Sequence, residues 1–460
     1  MVRALRDDGC FVNGAVFPAV PMAQGGIRFS ITAHHTPEDI DHLITRLAWH
    51  YPRILSMHDS SREKLVTAFK RSGVASSLTK EVAAPVQPEP ASRSQLRVNV
   101  SASIHHVSQQ AWDALFDGRG PMNHRTLAMF EQAFAHNEEL GQNLDWRYVI
   151  VYADGRIVAA TWFFIGHVKD DVFAAEHISE RVENIRQDED PSFLVSKAVV
   201  MGSPISVGSQ LYLDRTHHEH CSALELIVEA ANQIKLECGA EKVLLRDFTK
   251  HDVKLRESIS RLGFVELELS NSMVLEVQKN WANPLEYLGL LDRKKRNYVR
   301  REILRHESFF EQATSQVTGL DEYYQLYQKV HARGRLINTF ALPKALFREA
   351  FEHPDFDLVS LYRTNEHGEQ QLASFVLSHN RDGYYTGLVV GIDYDLVAPS
   401  SPYKQVLYQM TQRANILGAH TVDFGASAEL IKRQLGARPI GYCAFMCADD
   451  DFSVQVMANL

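Results

Sequence analysis

Three ionisable residues near the carboxyl end of the chain have types and spacing that suit proton transfer and charge stabilisation. Asp423 ends a short strand-like segment, and Glu429 and Lys432 lie three positions apart in the helix-like run that follows. A carboxylate can remove a proton from a reacting group, and a lysine can hold an anionic group or stabilise a developing oxyanion. Residues three apart are neighbours on a helix, so an ordinary surface ion pair between Glu429 and Lys432 is the alternative.

Basic residues are concentrated in residues 290–306, which the pattern predicts to be one helix. Arg293, Arg296 and Arg300 fall on one face of it. Such a face can bind the phosphate groups of a nucleotide, an RNA or a lipid headgroup. A charged helix is also often no more than a solvated surface.

A later helix start is a second candidate anion site. Ser400, Ser401 and Lys404 lie where the backbone N–H groups of a first helical turn are free to hold phosphate. Plain N-capping by a serine explains these residues equally well.

Two other kinds of site receive little support. Residues 217–221 read His-His-Glu-His-Cys, but adjacent ligands on a helix point in different directions and a matching second pair is lacking. We therefore predict no metal site. No Ser-His-Asp or Cys-His order stands out, so a hydrolase is not favoured.

The bulk composition sets limits on the class of protein. A chain of 460 residues predicts two or three domains. Its 48 basic and 57 acidic residues give a net charge of −9, which argues against a globally basic DNA-binding face. The five cysteines show no metal spacing and indicate reduced thiols. Residues 157–168 are too short to span a bilayer, and residues 1–10 do not resemble a signal peptide, so we expect a cytoplasmic protein.

The elements that must position these residues occur twice. Residues 239–248 and 418–425 are similar, and each copy follows a long amphipathic run and a pair of strand-like segments. Such a repeat predicts an α/β fold with two mixed-sheet modules in tandem. We place a small α/β segment at residues 1–72, a linker at 73–97, the first module at 98–280 and the second at 281–460.

A segment punctuated by proline and glycine, residues 11–48, carries one family resemblance. The fitting positions are Pro18, Pro21, Gly26, Ile27, Arg28, Ser30, His35, Thr36, Glu38 and Asp39. Together they resemble the end of the α-oxoamine synthases, pyridoxal-phosphate enzymes that condense an acyl-CoA with an amino acid. The resemblance implies that Arg28 contacts a substrate carboxylate. The Schiff-base lysine and the large cofactor domain would precede residue 1, so we expect a remnant that does not bind pyridoxal phosphate by itself.

The two modules carry a second resemblance. Residues 200–204, 290–302 and 423–432 are similar to motifs of FemAB-like members of the GNAT acyltransferase superfamily. The resemblance implies paired GNAT-like folds with a substrate cleft and an amide-forming transfer from acyl-CoA or aminoacyl-tRNA. Simpler GNAT enzymes hold the CoA pyrophosphate on a glycine-rich loop, which the helix starts at 215–221 and 398–404 lack.

This resemblance also implies roles for the candidate residues. The catalytic set is Asp423, Glu429 and Lys432, and the CoA-binding set is Ser400, Ser401, Lys404, Arg296 and Arg300. We expect an N-acyltransferase that uses acyl-CoA and a primary amine, such as an amino ketone or a sphingoid base, as a bacterial ceramide synthase does.

Two alternatives stay open at this point: an aminoacyl-tRNA-dependent amide ligase of the FemAB type, and a non-catalytic ligand-binding protein. The expected partners are a small-molecule or lipid amine, a separate α-oxoamine synthase and the inner membrane surface. DNA is not expected, and tRNA only under the first alternative.

Overall fold

The computed structural model of the chain divides into two compact units. The smaller unit comprises Met1–Ser94 and Glu257–Phe264, and the larger comprises Gln95–Arg256 and Val265–Leu460. The described residues are 1–10, 12–15, 26–29, 36–57, 96–172, 174–205, 208–277, 280–314, 319–334, 337–364, 367–396 and 400–448. Almost all of the predicted linker, residues 73–97, lies outside them.

In the part of the smaller unit that is described up to Met57, two helices accompany a two-stranded antiparallel ladder. Its elements are α1 (Val2–Asp7), β1 (Asn13–Ala15), β2 (Gly26–Arg28) and α2 (Pro37–Met57). Thr36 caps α2: its hydroxyl accepts from the Asp39 N–H at 3.2 Å, and the Asp39 carboxylate accepts from the Thr36 N–H at 2.8 Å. The side chain of Arg28 lies outside the described part of the structure.

The larger unit contains both predicted modules. Its strands are β3 (Arg97–Ser101), β4 (Asp145–Ala153), β5 (Arg156–Lys169), β6 (Val195–Met201), β7 (Tyr212–Leu213), β8 (Lys242–Thr249), β9 (Val265–Glu268), β10 (Ser272–Glu276), β11 (Glu311–Thr314), β12 (Phe356–Thr364), β13 (Gln370–Arg381), β14 (Tyr384–Ile392), β15 (Thr421–Asp423), β16 (Arg438–Ile440) and β17 (Tyr442–Ala448). The remaining α-helices among the described residues are α3 (Gln109–Phe116), α4 (His124–Ala133), α5 (Glu176–Asp188), α6 (His220–Cys238), α7 (Val253–Arg261), α8 (Pro284–Leu290), α9 (Arg293–Glu302), α10 (Leu320–Arg333), α11 (Lys344–Glu352), α12 (Pro402–Ile416) and α13 (Glu429–Gln434).

The two sheets of the larger unit follow the same plan. The first has the order β3-β4-β5-β6-β8-β17-β9, with β7 paired to β5, and the second has the order β11-β12-β13-β14-β15-β10-β16. Each contains one parallel pair, β6 with β8 and β14 with β15, among antiparallel neighbours. The prediction of an α/β fold with two similar mixed-sheet modules is therefore confirmed.

The sixth strand of each sheet comes from the other module. β10 follows β9 in the chain but lies between β15 and β16, and β17 follows β16 but lies between β8 and β9. Each module thus contributes its last strand to its neighbour. A cut at the predicted boundary, residue 280, would therefore separate β10 and β17 from the sheets to which they belong.

A long amphipathic helix packs on each sheet. In α6 the buried residues recur at helical spacing, namely Ala223, Leu224, Ile227, Val228, Ala231 and Ile234. Gly239 ends this helix with a φ of 63°, a conformation that costs glycine little. The corresponding helix of the second module, α12, buries Val406, Tyr408 and Met410.

The basic helix is shorter than predicted. α8 ends at Leu290, and the side chain of Asp292 accepts a hydrogen bond from the Lys295 N–H, so that α9 begins at Arg293. It ends at Glu302 rather than continuing to residue 306. None of the described helices is long and apolar enough to cross a membrane.

Candidate active site

A cleft of about 490 Å³ is lined by residues of both modules. Strands β5, β6 and β8 contribute from the first sheet, and β14, α12 and the loop after β15 contribute from the second. Most of the lining side chains are apolar, among them Phe164, Val200, Leu244, Leu388, Val390 and Leu407. Clefts of this size and polarity are typical of sites for small organic ligands.

On the side of the cleft formed by the second sheet, two parallel strands separate. β14 pairs with β15 only through Tyr384, Tyr385 and Thr386 and then continues alone on that side to Ile392. Residues 387–390 line the cleft beyond this point. A strand edge without a neighbouring strand offers backbone N–H and C=O groups that can pair with an extended, amide-bearing ligand.

Asp423, the predicted catalytic carboxylate, is fully buried and does not line the cleft. It accepts hydrogen bonds from the Ser272 hydroxyl at 2.6 Å, the Gly425 N–H at 2.8 Å and the Tyr384 hydroxyl at 3.2 Å. Burial raises its pKa, and these donors and the Lys432 charge offset part of the rise. Asp423 therefore stabilises the cleft wall through hydrogen bonds without lining the cleft itself.

Lys432 lines the cleft, but its ammonium group is occupied. The Nζ atom donates to the carbonyl oxygens of Phe424, Gly425 and Ala426 at 2.7, 3.1 and 2.5 Å. An ammonium group has three hydrogens, so none is left for a ligand. Burial lowers the pKa of Lys432 to about 8, whereas the nearby Asp423 charge favours the ammonium form. Lys432 thus organises the loop after β15.

Glu429 does not join the other two predicted catalytic residues. Its side chain is exposed and forms an (i, i+4) ion pair with Arg433, whose Nε lies 2.7 Å from Oε1. The alternative reading, an (i, i+3) ion pair between Glu429 and Lys432, is not found in the described structure, because the Lys432 side chain turns inward to the loop carbonyls.

The sequence reasoning passed over Asp247, the carboxylate that does line the cleft. It lies in β8, where the register with β17 shifts by one residue between Cys443 and Phe445. Its φ of 65° is unusual for an aspartate and marks the extra residue of a β-bulge. Asp247 accepts hydrogen bonds from the Gln210 side chain and, at 2.9 Å, from the Arg246 Nε.

The environment of Asp247 makes it a stronger base. Burial raises the pKa of its carboxyl, Arg246 beside it lowers the pKa, and the charge of Asp423 raises it again. A usable signal was present in the repeat itself, because an Asp-Phe pair follows the leading glycine in both copies, eight residues after Gly239 and five after Gly418.

Two hydroxyl groups complete the polar part of the cleft. Thr386 lines the cleft, and its Oγ1 is buried with no hydrogen-bond partner among the described residues. Tyr442 also lines the cleft, and burial together with the charges of Asp423 and Asp247 raises the pKa of its phenol, which stays protonated. Both groups are available to donate to a ligand oxygen.

The predicted CoA-binding residues lie away from these groups. The Ser401 hydroxyl accepts from the Lys404 N–H at 3.5 Å as the N-cap of α12, and Ser400 is buried. Lys404 reaches α9, where its Nζ lies 3.0 Å from a carboxylate oxygen of Glu302. Arg296 donates to the Leu291 carbonyl at 3.1 Å.

The remaining sequence predictions concern Arg300 and metal ligation. Arg300 is exposed on α9. None of the five residues proposed to bind CoA lines the cleft. No cluster of three or more potential metal ligands is present in the described ranges, residues 217–221 included.

Comparison with known proteins gives similarities to both parts of the chain. A family model described as "Acetyltransferase (GNAT) domain" matches residues 293–433. A serine palmitoyltransferase from Sphingobacterium spiritivorum is 45% identical over 47 residues, which are 10% of this chain and 12% of that protein. The chain therefore matches only a small fraction of the length of that synthase.

Among solved structures, FemX superposes with a TM-score of 0.50 at 14% identity, covering 76% of this chain and 98% of FemX. L-PGS from Bacillus licheniformis gives a TM-score of 0.44 at 12% identity, covering 77% of this chain and 95% of L-PGS. At such low identity, the likeness to FemX is a likeness of fold.

Proposed function

We propose that the protein joins an acyl group, delivered as an acyl-CoA thioester, to the primary amine of a lipid-like acceptor. The premise is the match of residues 293–433 to the family model of a GNAT acetyltransferase domain. The observation that carries the proposal is the apolar cleft with one carboxylate, Asp247, in its wall. A cleft of about 490 Å³ with mostly apolar walls suits a hydrocarbon chain better than it suits a peptide or sugar.

The donor fits the free edge of β14. Coenzyme A carries its acyl thioester on a linear arm that contains amide groups, and residues 387–390 present unpaired backbone to the cleft. Hydrogen bonds between that edge and the arm would hold the thioester beside the polar groups of the cleft. The likeness to GNAT domains supports acyl-CoA as the donor.

The chemistry assigned to the residues is direct transfer. Asp247 removes a proton from the acceptor ammonium, and the free amine attacks the thioester carbonyl, forming the C–N bond. The hydroxyl groups of Thr386 and Tyr442 are the candidate donors to the oxyanion. The C–S bond then breaks and its electron pair leaves with the sulfur, and the second nitrogen proton passes to that thiolate to give the amide and free CoA thiol.

The short similarity to a serine palmitoyltransferase supports a long-chain acceptor. α-Oxoamine synthases make amino ketones, and the serine-using members lead to sphingoid bases, which have a primary amine and a long hydrocarbon chain. Such an amine matches the apolar cleft in size and polarity. We therefore propose a long-chain amino ketone or sphingoid base as the acceptor.

The test is amine-dependent thiol release. The purified protein is mixed with acetyl-, octanoyl- or palmitoyl-CoA, with and without a sphingoid amine, and free CoA and product mass are followed together. We expect CoA release only with the free amine and an amide of the corresponding mass; the N-acetylated amine is the matched control. No release with any donor, or transfer from aminoacyl-tRNA instead, would contradict the proposal.

A further inference from the structure

A second pocket of about 220 Å³ lies beside the cleft and shares Arg246 and Asp247 with it as lining residues. We call it the arginine pocket, because its lining includes Arg119, Arg215 and Arg246. The two cavities differ in character, since polar side chains dominate the arginine pocket and apolar side chains dominate the cleft.

The charges of the arginine pocket do not cancel. Arg215 forms a two-point ion pair with Asp252, with one N–O distance of 3.0 Å, and Arg246 pairs with Asp247 at 2.9 Å. Three guanidinium groups therefore face two carboxylates. Arg119 is the group left over: within the described ranges its guanidinium forms no ion pair or hydrogen bond.

The surroundings of Arg119 hold it in place without neutralising it. Its guanidinium carbon lies 5.8 Å from the ring centre of Phe116 and 6.0 Å from that of Tyr212. The side chain is half-buried, and burial lowers the pKa of the guanidinium, which still stays charged at neutral pH. A desolvated charge without a partner is costly, and an oxyanion held in a charge-assisted hydrogen bond would offset that cost.

The local sequence accounts for the position of this arginine. Gly118 and Gly120 flank it with φ values of 73° and 104°, which favour glycine. A Cβ atom on Gly120 would lie 3.6 Å from the Oγ1 of Thr386, the unpartnered hydroxyl of the cleft. The loop that carries Arg119 therefore packs directly on the cleft wall.

We propose that the arginine pocket binds an oxyanion, a phosphate or a carboxylate, carried by a substrate whose reacting end lies at Asp247 in the cleft. The assignment to a substrate rests on the proposed function, whereas oxyanion binding by Arg119 does not. The shared lining residues make the link, since Arg246 and Asp247 contribute to the walls of both cavities. A substrate of this class is amphipathic, with an anionic group in the arginine pocket and a hydrocarbon part in the cleft.

The first arm of the test measures binding without catalysis. Inorganic phosphate is titrated, against chloride at equal ionic strength, into the full-length protein and into Arg119→Gln, with thermal shift and calorimetry as readouts. The matched control is Arg53→Gln, which removes an arginine that also lies over an aromatic ring, 5.7 Å from the centre of Trp49. We expect phosphate to stabilise the wild type and the control, and its affinity to fall at least about tenfold in Arg119→Gln.

The ligand-free Arg119→Gln variant also tests whether Arg119 has only a structural role. Because Arg119 has no carboxylate partner among the described residues, its replacement leaves no buried anion unpaired, and the ligand-free variant should melt no lower than the wild type. A markedly lower melting temperature, equal phosphate affinity in the variant, or no phosphate effect on the wild type would each overturn the proposal.

A second arm identifies the source of the oxyanion. Displacement of phosphate by CoA but not by pantetheine would assign the pocket to the donor, and displacement by a phosphorylated long-chain amine would assign it to the acceptor. Displacement by neither would overturn the link to a substrate. Loss of phosphate binding in Arg119→Gln with no thiol release from any acyl-CoA would contradict the proposed function and leave the oxyanion site standing.

Discussion

Each module has an Asp-Phe pair on the strand that follows its long helix, yet the two aspartates lie at different points of the sheet and are used differently. Asp423 pairs with Thr386 in the parallel ladder, whereas Asp247 lies beyond Leu244, the last residue of β8 that pairs with β6. In the first module, the bulge against β17 gives Asp247 a φ of 65° and turns its side chain toward the cleft. In the second module, Asp423 accepts three hydrogen bonds and is fully buried. A motif that recurs in a repeat therefore does not imply a shared position or a shared chemistry.

The largest expected effect separates these two aspartates by activity. Asp247→Asn keeps the size of the side chain and its tolerance of a positive φ but removes the base, so turnover in the thiol-release assay should fall by about 10²- to 10⁴-fold. Asp154→Asn is the control, because Asp154 is exposed in a hairpin turn and also has a positive φ, 49°. Equal activity in wild type and Asp247→Asn would contradict the assignment.

The next effect is on stability and concerns the loop after β15. Lys432→Met leaves three buried carbonyl groups without their common donor, and we expect a loss of about 3 kcal/mol in the free energy of unfolding. Urea denaturation measures it, with Lys294→Met, the same change at an exposed position of α9, as the control. A loss no greater than that of the control would show that Lys432 does not hold the loop.

A smaller effect is expected on the pH dependence of activity, through the interaction between the charges of Asp247 and Asp423. A raised pKa means that Asp247 becomes a base at higher pH than an ordinary carboxyl, so kcat/KM should rise with pH above about 4. The Asp423 charge contributes to this rise, so Asp423→Asn should shift the acidic limb to lower pH while changing the plateau activity less than about tenfold. An unshifted limb, or one displaced to higher pH, would show that the two carboxylates do not interact as the structure indicates.

The smallest effect is expected at Glu429. Its ion pair with Arg433 is exposed, so Glu429→Gln should change stability by no more than about 0.5 kcal/mol and leave the thiol-release rate unchanged. Thermal melting and the same assay measure both quantities. A large loss of activity would restore the original prediction that Glu429 belongs to the catalytic set.

The two similar sheets could be predicted from the sequence, because their strands and helices follow one another in the same order in both copies. The turn-forming Gly239 and Gly418 follow long amphipathic helices in both copies, and the strands recur around them. The exchange of β10 and β17 was not predictable in the same way. β10 follows β9 and β17 follows β16 closely in the chain, but each strand pairs in the other module, so proximity in the chain does not decide which sheet each one enters.

The candidate site was predicted only in part, because its geometry depends on contacts between distant parts of the chain. Asp423 and Lys432 were selected by a motif, and both lie near the cleft, but the role of Lys432 depends on loop carbonyls that only the folded chain brings together. Asp247 faces the cleft because of a register shift against a strand almost two hundred residues later in the chain. The unpaired state of Arg119 likewise depends on which carboxylates other arginines have already engaged.

The reciprocal exchange of the sixth strands has a consequence for synthesis on the ribosome. The first sheet is complete only when β17 arrives, and β17 begins more than 170 residues after β9 ends. At ordinary translation rates that interval is roughly 10–35 s. During that time the facing edges of β8 and β9 have no strand between them, so the amino-terminal module should not reach its native state while it is still being synthesised. Correct folding then requires that these unpaired strand edges form no other pairing until β17 has been synthesised and can insert between them.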